Sequence, residues 1–328
     1  VYDKLQAVTI SSDSSTYCYN AIPEPLYIEN QAVGADGNYI NQWQISLNNE
    51  DWSDIIGEIG DTYQPTSLIQ TTYFRVKTIS PLCSDTVFSH PFKITVYSMI
   101  HAGEISCDDN FVCYNSTAQL DFISQPAGGG GSYSYRWQIA SDSINFIDIQ
   151  GASSINYETD SLTSQQIYRV IVSSTLGCAQ DTTNELTINV RQPFVPGTIT
   201  GNDTVCYDAI PGQLSLETSC SGGETPYSYQ WYRSTREYGS RDVLIPQAVD
   251  SIYQSDNLKQ TTYYKLKFFS AGGCGEAFSN TIVVHVYDSL TPAVISTDNE
   301  SPICYGTEPD ELFILTPPTG ADGVFTHQ

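Results

Sequence analysis

Three short stretches decide the fold: Asn41-Gln42-Trp43-Gln44-Ile45-Ser46, Tyr135-Arg136-Trp137-Gln138-Ile139-Ala140 and Tyr229-Gln230-Trp231-Tyr232-Arg233-Ser234. Their tryptophans stand 94 and 94 residues apart. A tyrosine lies four residues before each (Tyr39, Tyr133, Tyr227), and a second follows at Tyr63, Tyr157 and Tyr253. Five residues later comes a leucine: Leu68, Leu162, Leu258. Six beyond that is an aromatic followed by a base: Phe74-Arg75, Tyr168-Arg169, Tyr264-Lys265. A cysteine precedes each tryptophan (Cys18, Cys113, Cys206) and another follows it (Cys83, Cys178, Cys274). Self-similarity at a fixed period is the signature of tandem modules.

The ends fit the same frame. Val96, Val190 and Val286 fill one slot of the repeat, and Val1-Tyr2-Asp3 matches Val286-Tyr287-Asp288. Residues 1–3 therefore read as the close of a preceding repeat, and residues 4–97, 98–191 and 192–287 as three complete repeats. Residues 288–328, which contain Cys304, read as the start of an incomplete fourth repeat whose tryptophan would fall just past Gln328. The chain reads as a window onto a longer array, with the fourth unit an incomplete sandwich.

Within a repeat the pattern is that of short strands broken by turns, with no useful run of helical periodicity. In the second repeat strands are expected at 103–106, 118–123, 133–139, 146–149, 155–158, 167–173 and 185–190. Seven short alternating strands with a tryptophan on the third predict an all-β, immunoglobulin-like β-sandwich, with Trp43, Trp137 and Trp231 as core residues. The bases Arg75, Arg169 and Lys265 are expected to alternate outward to solvent. Short linkers (Tyr97 to His101, Arg191 to Val195, Tyr287 to Pro292), two of them with proline, favour tandem domains arranged as a rod.

Composition bounds the function. Lys plus Arg is 13 against 37 for Asp plus Glu, a net charge of -24, which repels phosphate backbones and argues against nucleic acid as a partner. The 23 Tyr, 12 Phe and 4 Trp distinguish the chain from acidic disordered sequences. No apolar run is long enough to span a membrane as a helix. Nine cysteines without zinc-finger spacing point to an oxidising compartment rather than metal ligation. Two pairings of the repeated cysteines are open. Near-constant spacing within a repeat favours bridges inside each module, Cys18–Cys83, Cys113–Cys178 and Cys206–Cys274. However, a standard sandwich would place those partners at opposite ends, and the alternative joins Cys18 to Cys178 and Cys113 to Cys274. The two extra cysteines suggest a staple, Cys107–Cys220.

The words AGEIS, VCYNSTAQL and GGGGSYSYRWQIASDS in the second repeat, with GETPYSYQWYRS and GGCGEAFSNTIVVHV in the third, resemble the Ig-like repeats of large secreted surface adhesins of Bacteroidota. The resemblance covers essentially the whole chain, though the first repeat has Leu82-Cys83 in place of Gly-Cys and carries an additional Trp52. It implies export, often by type IX secretion, a place on the cell surface or in an extracellular filament, and roles in adhesion or gliding. It also implies glycosylation at Asp-Ser/Thr-aliphatic triplets, here at Thr86, Ser143, Ser161, Thr204, Ser251 and Ser289.

Sites of chemistry are scarce. No catalytic motif is present, and His90, His101, His285 and His327 have no fixed place in the repeat, so an enzyme is not expected and no catalytic or cofactor-binding residue is assigned. Calcium has weak candidates in Asp108 and Asp109, the adjacent pair of a loop. Arg233, Arg236 and Arg241, beside Tyr238, concentrate three of the seven arginines in one hairpin and read as an interface for an acidic neighbour or an anionic glycan. The expected function is a structural or adhesive extracellular array, with disulfide-pinned modules in series acting as stalk or adhesin. Its partners would be further repeats of the same chain, identical chains in a filament, or a surface glycan or protein. The alternative is a carbohydrate-binding or accessory module array of a secreted enzyme.

Overall fold

The computed structural model describes residues 2–237, 241–298 and 302–326. The chain is all-β, and among the described residues the helical structure is one short 3-10 turn, Ala271–Gly273. It divides into two compact units. One comprises residues 1–110, 117–160 and 165–189; the other comprises residues 111–116, 161–164 and 190–328.

The first module contains nine strands: β1 (Thr9–Ser11), β2 (Thr16–Tyr17), β3 (Leu26–Asn30), β4 (Ile40–Ser46), β5 (Ser53–Asp54), β6 (Thr62–Tyr63), β7 (Thr72–Ser80), β8 (Asp85–Phe88) and β9 (Phe92–Val96). They form a small sheet, β1-β3-β6, and a large one, β2-β9-β7-β4-β5, with β8 also on β7. The period of two decides which side chains meet between the sheets. In β7, Thr72, Phe74, Val76, Thr78 and Ser80 are buried while Tyr73, Arg75 and Lys77 occupy the other face. The third module repeats the arrangement, with a small sheet of 198–200, 214–218 and 252–253 and a large sheet built on 228–234 and 262–269. The chain is therefore a tandem series of immunoglobulin-like sandwiches.

The repeated landmarks now acquire reasons. Trp43, Trp137 and Trp231 are fully buried. Each indole donates to a carbonyl across the core: Trp43 to Gly60 at 2.9 Å, Trp137 to Ser154 at 2.9 Å and Trp231 to Asp250 at 2.9 Å. This pairing removes the cost of burying the N–H. The later tyrosine lies against the indole, with ring centroids 5.9, 5.5 and 5.8 Å apart. The tyrosine four residues ahead donates to Gly34, Gly128 or Gly222. Those glycines have positive φ, and a Cβ there would collide with the backbone of Lys4, Met99 or Pro193. Only glycine allows that approach.

In the second module the seven expected strands are present, at 104–106, 119–124, 133–140, 147–148, 157–158, 166–174 and 186–190. Two more were missed, Phe111–Val112 and Gln180–Thr182. The second of these has a simple cause. The last strand of each sandwich is split in two, and a hydroxyl fills the break: Val76, Val170 and Leu266 donate their N–H groups to Ser89, Thr183 and Ser279.

The described part of residues 288–326 forms two ladders, Asp288–Thr291 with Thr319–Ala321 and Val294–Ser296 with Phe313–Thr316. Ile314 pairs with Ile295 as Leu216 pairs with Ile199, so Leu312 occupies the place of Leu214. Leu26, Leu120 and Leu214 are 0% exposed, and Leu312 is 67% exposed. A two-strand ladder offers one face and nothing to pack it against.

Candidate functional site

The bridges run from module to module. Cys18 is bonded to Cys178 and Cys113 to Cys274, each with a Cα separation of 5.0 Å. Of the two open pairings the alternative, between modules, is the one observed, and the favoured bridges inside each module are corrected. Cys83 and Cys206 are free, and so are Cys107 and Cys220, which removes the proposed Cys107–Cys220 staple. Cys304 is also free.

The physical reason lies in the short strand that was missed. β2 runs parallel to β9, pairing Thr16 with Thr95 and Tyr17 with Val96. Cys18 therefore sits beside the chain's exit from the module. β9 is antiparallel to the start of β7, with Thr72 opposite Ile94, while Cys83 lies past the far end of β7 at Ser80. Nine strand residues separate the two ends, about 30 Å at the usual rise. A disulfide cannot span that. The turn that presents the first cysteine is itself repeated. Asn20, Asn115 and Asp208 have φ near +60°, and Gly306 holds the same place after Cys304. Asn and Asp are the L-residues that best tolerate this conformation. Cys220 has a different role: it is buried in the core cluster of the third module with Trp231 and Phe268, and burial pushes its thiol pKa up.

The outer face of the large sheet carries a second device. Arg75, Arg169 and Lys265 do lie on that face, but they are covered rather than turned to solvent. The Arg75 guanidinium lies 4.2 Å from the Trp52 ring and 4.1 Å from the Phe88 ring, and its Nε donates to Gln44 at 2.7 Å. Arg169 stacks on Phe146 at 3.7 Å and donates to Gln138 at 2.8 Å. In the third module Lys265 pairs instead with Asp242 at 3.3 Å. Trp52 thus caps a cation.

The third device is a hollow of about 580 Å³ at one edge of the third module. The strand Ser228–Ser234 brings Arg233 to it, and the following turn and the strand Val243–Leu244 bring Arg236 and Arg241. Buried Ser234, Leu258 and Thr262 form its floor, and exposed Lys259 completes the rim. The structure therefore gathers the three arginines that the sequence singled out. Tyr238 lies outside the described residues. Lys259 was missed because it stands 18 to 26 residues away in sequence. Its only signal was its position after the repeated leucine Leu258. No carboxylate lines the hollow among the described residues. Asp208, 3.9 Å from Lys259, is the nearby counter-ion, and both side chains are exposed.

Residues 6–98, 101–192 and 195–288 each match the model of a domain of unknown function, DUF8696. The chain belongs to the DUF8696 family. No curated protein matches it. Among solved structures, the chain is similar to the three N-terminal domains of the bacteriophage RB49 Highly Immunogenic Outer Capsid protein (Hoc). That likeness has 12% identity and a TM-score of 0.41, and covers 85% of this chain and 98% of that one. It is also similar to the FN1–FN3 domains of chicken CNTN1, with 14% identity, a TM-score of 0.31, and 85% and 97% covered. Immunoglobulin domains 1–4 of Sidekick-1 match at 12% identity with a TM-score of 0.29, covering 96% of this chain and 83% of theirs.

The candidate glycosylation sites lie in the matched repeats, except Ser289, which follows the third. Thr86, Ser143, Ser161, Thr204 and Ser289 are exposed, and Ser251 is half-buried with its carbonyl accepting from Leu216. Among the described residues no group of three or more His, Cys, Asp or Glu side chains, Asp108 and Asp109 included, could hold a metal ion. No helix among the described residues is long and apolar enough to cross a membrane.

Proposed function

We propose that this DUF8696 chain is a load-bearing stretch of an extracellular structural or adhesive array, without catalytic activity. The observation that carries the reading is the stagger of the bridges. Cys18–Cys178 and Cys113–Cys274 overlap in sequence, each spanning about 160 residues. Between Cys18 and Cys274 a pulled chain can follow the bridges and is limited to the 65 residues from Cys113 to Cys178. That segment extends to about 220 Å at most, whereas the 256 residues between the outer cysteines would reach roughly 880 Å. The same bridges restrict the unfolded state. A loop of this size is worth about 5 kcal/mol on the chain-entropy model. Such covalent pinning suits a protein that bears tension in an oxidising space. The resemblance to surface adhesins of Bacteroidota supports the same setting, with further repeats of the chain as its first partners.

The single methionine, Met99, offers a direct test, since it lies in the linker between the first two modules and is 51% exposed. Cyanogen bromide cleaves after it. Without reductant, fragments 1–99 and 100–328 should remain one covalent species through Cys18–Cys178, and that species should still carry load when pulled by its two ends. With reductant they should part. Fragments that part without reductant would remove the proposal.

A further inference from the structure

The hollow of the third module has a counterpart of about 540 Å³ in the first, lined by Ile45, Leu47, Asn48 and Asp51. The cations are therefore not a requirement of the scaffold. Arg233 stands where Ile45 and Ile139 stand, two residues after the tryptophan. Arg241, two residues before the strand Val243–Leu244, takes the place of Asp51 and Asn145. Lys259 follows Leu258 where Ile69 follows Leu68. Among the described residues, none of the three arginines forms an ion pair with a carboxylate. Clustered like charges repel one another, and an incoming anion offsets that repulsion.

We propose that this hollow binds an acidic saccharide, one or two sugar rings bearing carboxylate or sulfate groups. The volume falls in the range of small-ligand sites. The planar guanidinium fork matches a carboxylate or sulfate through two parallel N–H donors, and three arginines line the hollow. The floor sets Ser234 and Thr262, whose hydroxyls donate to the Arg236 and Gln260 carbonyls, beside the apolar Leu258, a mixed surface that suits a sugar ring. An acidic protein segment, or a second copy of this chain with its net charge of -24, is a poorer occupant. Its remaining charge would be repelled by the rest of the molecule. A short saccharide feels mainly the field of the hollow, within a Debye length of about 8 Å. The site supplies a ligand class to the adhesive reading and does not depend on the staggered bridges.

Calorimetric titration of the intact oxidised chain tests it, using a disulfated disaccharide, a uronic-acid disaccharide, their neutral counterpart, inorganic sulfate and a short poly-aspartate peptide. One of the two charged disaccharides should bind at a single site, at least tenfold more tightly than the neutral sugar, and more weakly as salt rises. The triple variant R233Q/R236Q/R241Q should lose about 30-fold in affinity with an unchanged melting profile, and K259Q about threefold. N48Q/D51N in the first module should change nothing. The proposal fails if both charged disaccharides are silent, if the triple variant binds as well as the native chain, or if sulfate alone or the peptide binds as tightly as the sugar. The cyanogen bromide test reads only the cystines, so the two proposals fail separately.

Discussion

The first and third modules share a core and differ at one edge. In both, a fully buried tryptophan donates to a carbonyl at 2.9 Å and lies against a tyrosine, with ring centroids 5.9 and 5.8 Å apart. On the outer face of the large sheet, Arg75 is sandwiched by Trp52 and Phe88 in one, while Lys265 pairs with Asp242 in the other. At the neighbouring edge, Asn48 and Asp51 give way to Arg236 and Arg241. The interior is constrained by close packing, where a change of one methylene is felt. The edge hairpin is constrained only by its turn, so charge can be exchanged there at little cost to the fold. Specific chemistry in such an array is therefore expected at the edges of individual modules and not at the repeated positions.

The strongest way to break this comparison is to attack what the modules share. Trp43→Ala and Trp231→Ala should each cost about 3–5 kcal/mol, because each opens a large cavity and leaves a carbonyl, Gly60 or Asp250, without its donor. Denaturant unfolding of the oxidised chain, followed module by module through amide exchange, should give the same loss in both. A difference of more than about 2 kcal/mol would mean that the two cores are not equivalent.

A smaller effect should separate the two outer faces. Trp52→Ala uncovers Arg75 and should cost about 1 kcal/mol, with little dependence on salt, since the lost contact is largely ring surface over a cation. Asp242→Asn should cost less than about 1 kcal/mol, and the difference should shrink in part in molar salt, because screening weakens an ion pair that keeps some contact with solvent. Equal salt dependence in the two variants would erase the distinction drawn between stacking and pairing.

Sequence carried the interior almost completely. The spacing of Trp43, Trp137 and Trp231 and the alternation in Thr72–Ser80 reflect burial, and burial leaves a periodic trace. The cysteine pairing stayed open, with the wrong option favoured, because it depends on Thr16–Tyr17 and Phe111–Val112, strands of two residues that are too short for any alternation to appear. Those strands place Cys18 at the exit of its module and leave Cys83 at the opposite end. Constant spacing fits either pairing equally, so only the position of each end could decide. The arginine hollow was half legible. Its hairpin is local, and the arginines are neighbours in sequence. Lys259 arrives from another strand, and a contact of that kind leaves no local pattern. Arg75 shows a third limit: the period of two gave the correct face but not the aromatic that covers it.

The smallest expected effect concerns acid. Asp54 accepts from Lys77 at 2.7 Å and from Gln44 at 2.6 Å. The lysine first, and the glutamine second, hold its pKa below the ordinary carboxylate value of 3.8. A carboxylate whose folded pKa is depressed stabilises the fold above its unfolded value and loses that contribution as pH falls through the folded value. In the second module Asp148 is held low in the same way by Gln138 and then Arg136. In the third module the position opposite Tyr232 is Leu244, where the first module sets Asp54 opposite Gln44, so the contribution has no counterpart there. Melting curves between pH 5 and pH 2.5, resolved by module, should therefore show an acid-dependent loss below about pH 4 that D54N reduces in the first module and D148N in the second. In the third module neither substitution should shift the curve. Carbon-detected titration of the Asp54 carboxyl gives the independent check. Titration at or above the ordinary value would show that Lys77 and Gln44 do not hold the charged form, and the acid difference between the modules would then need another source.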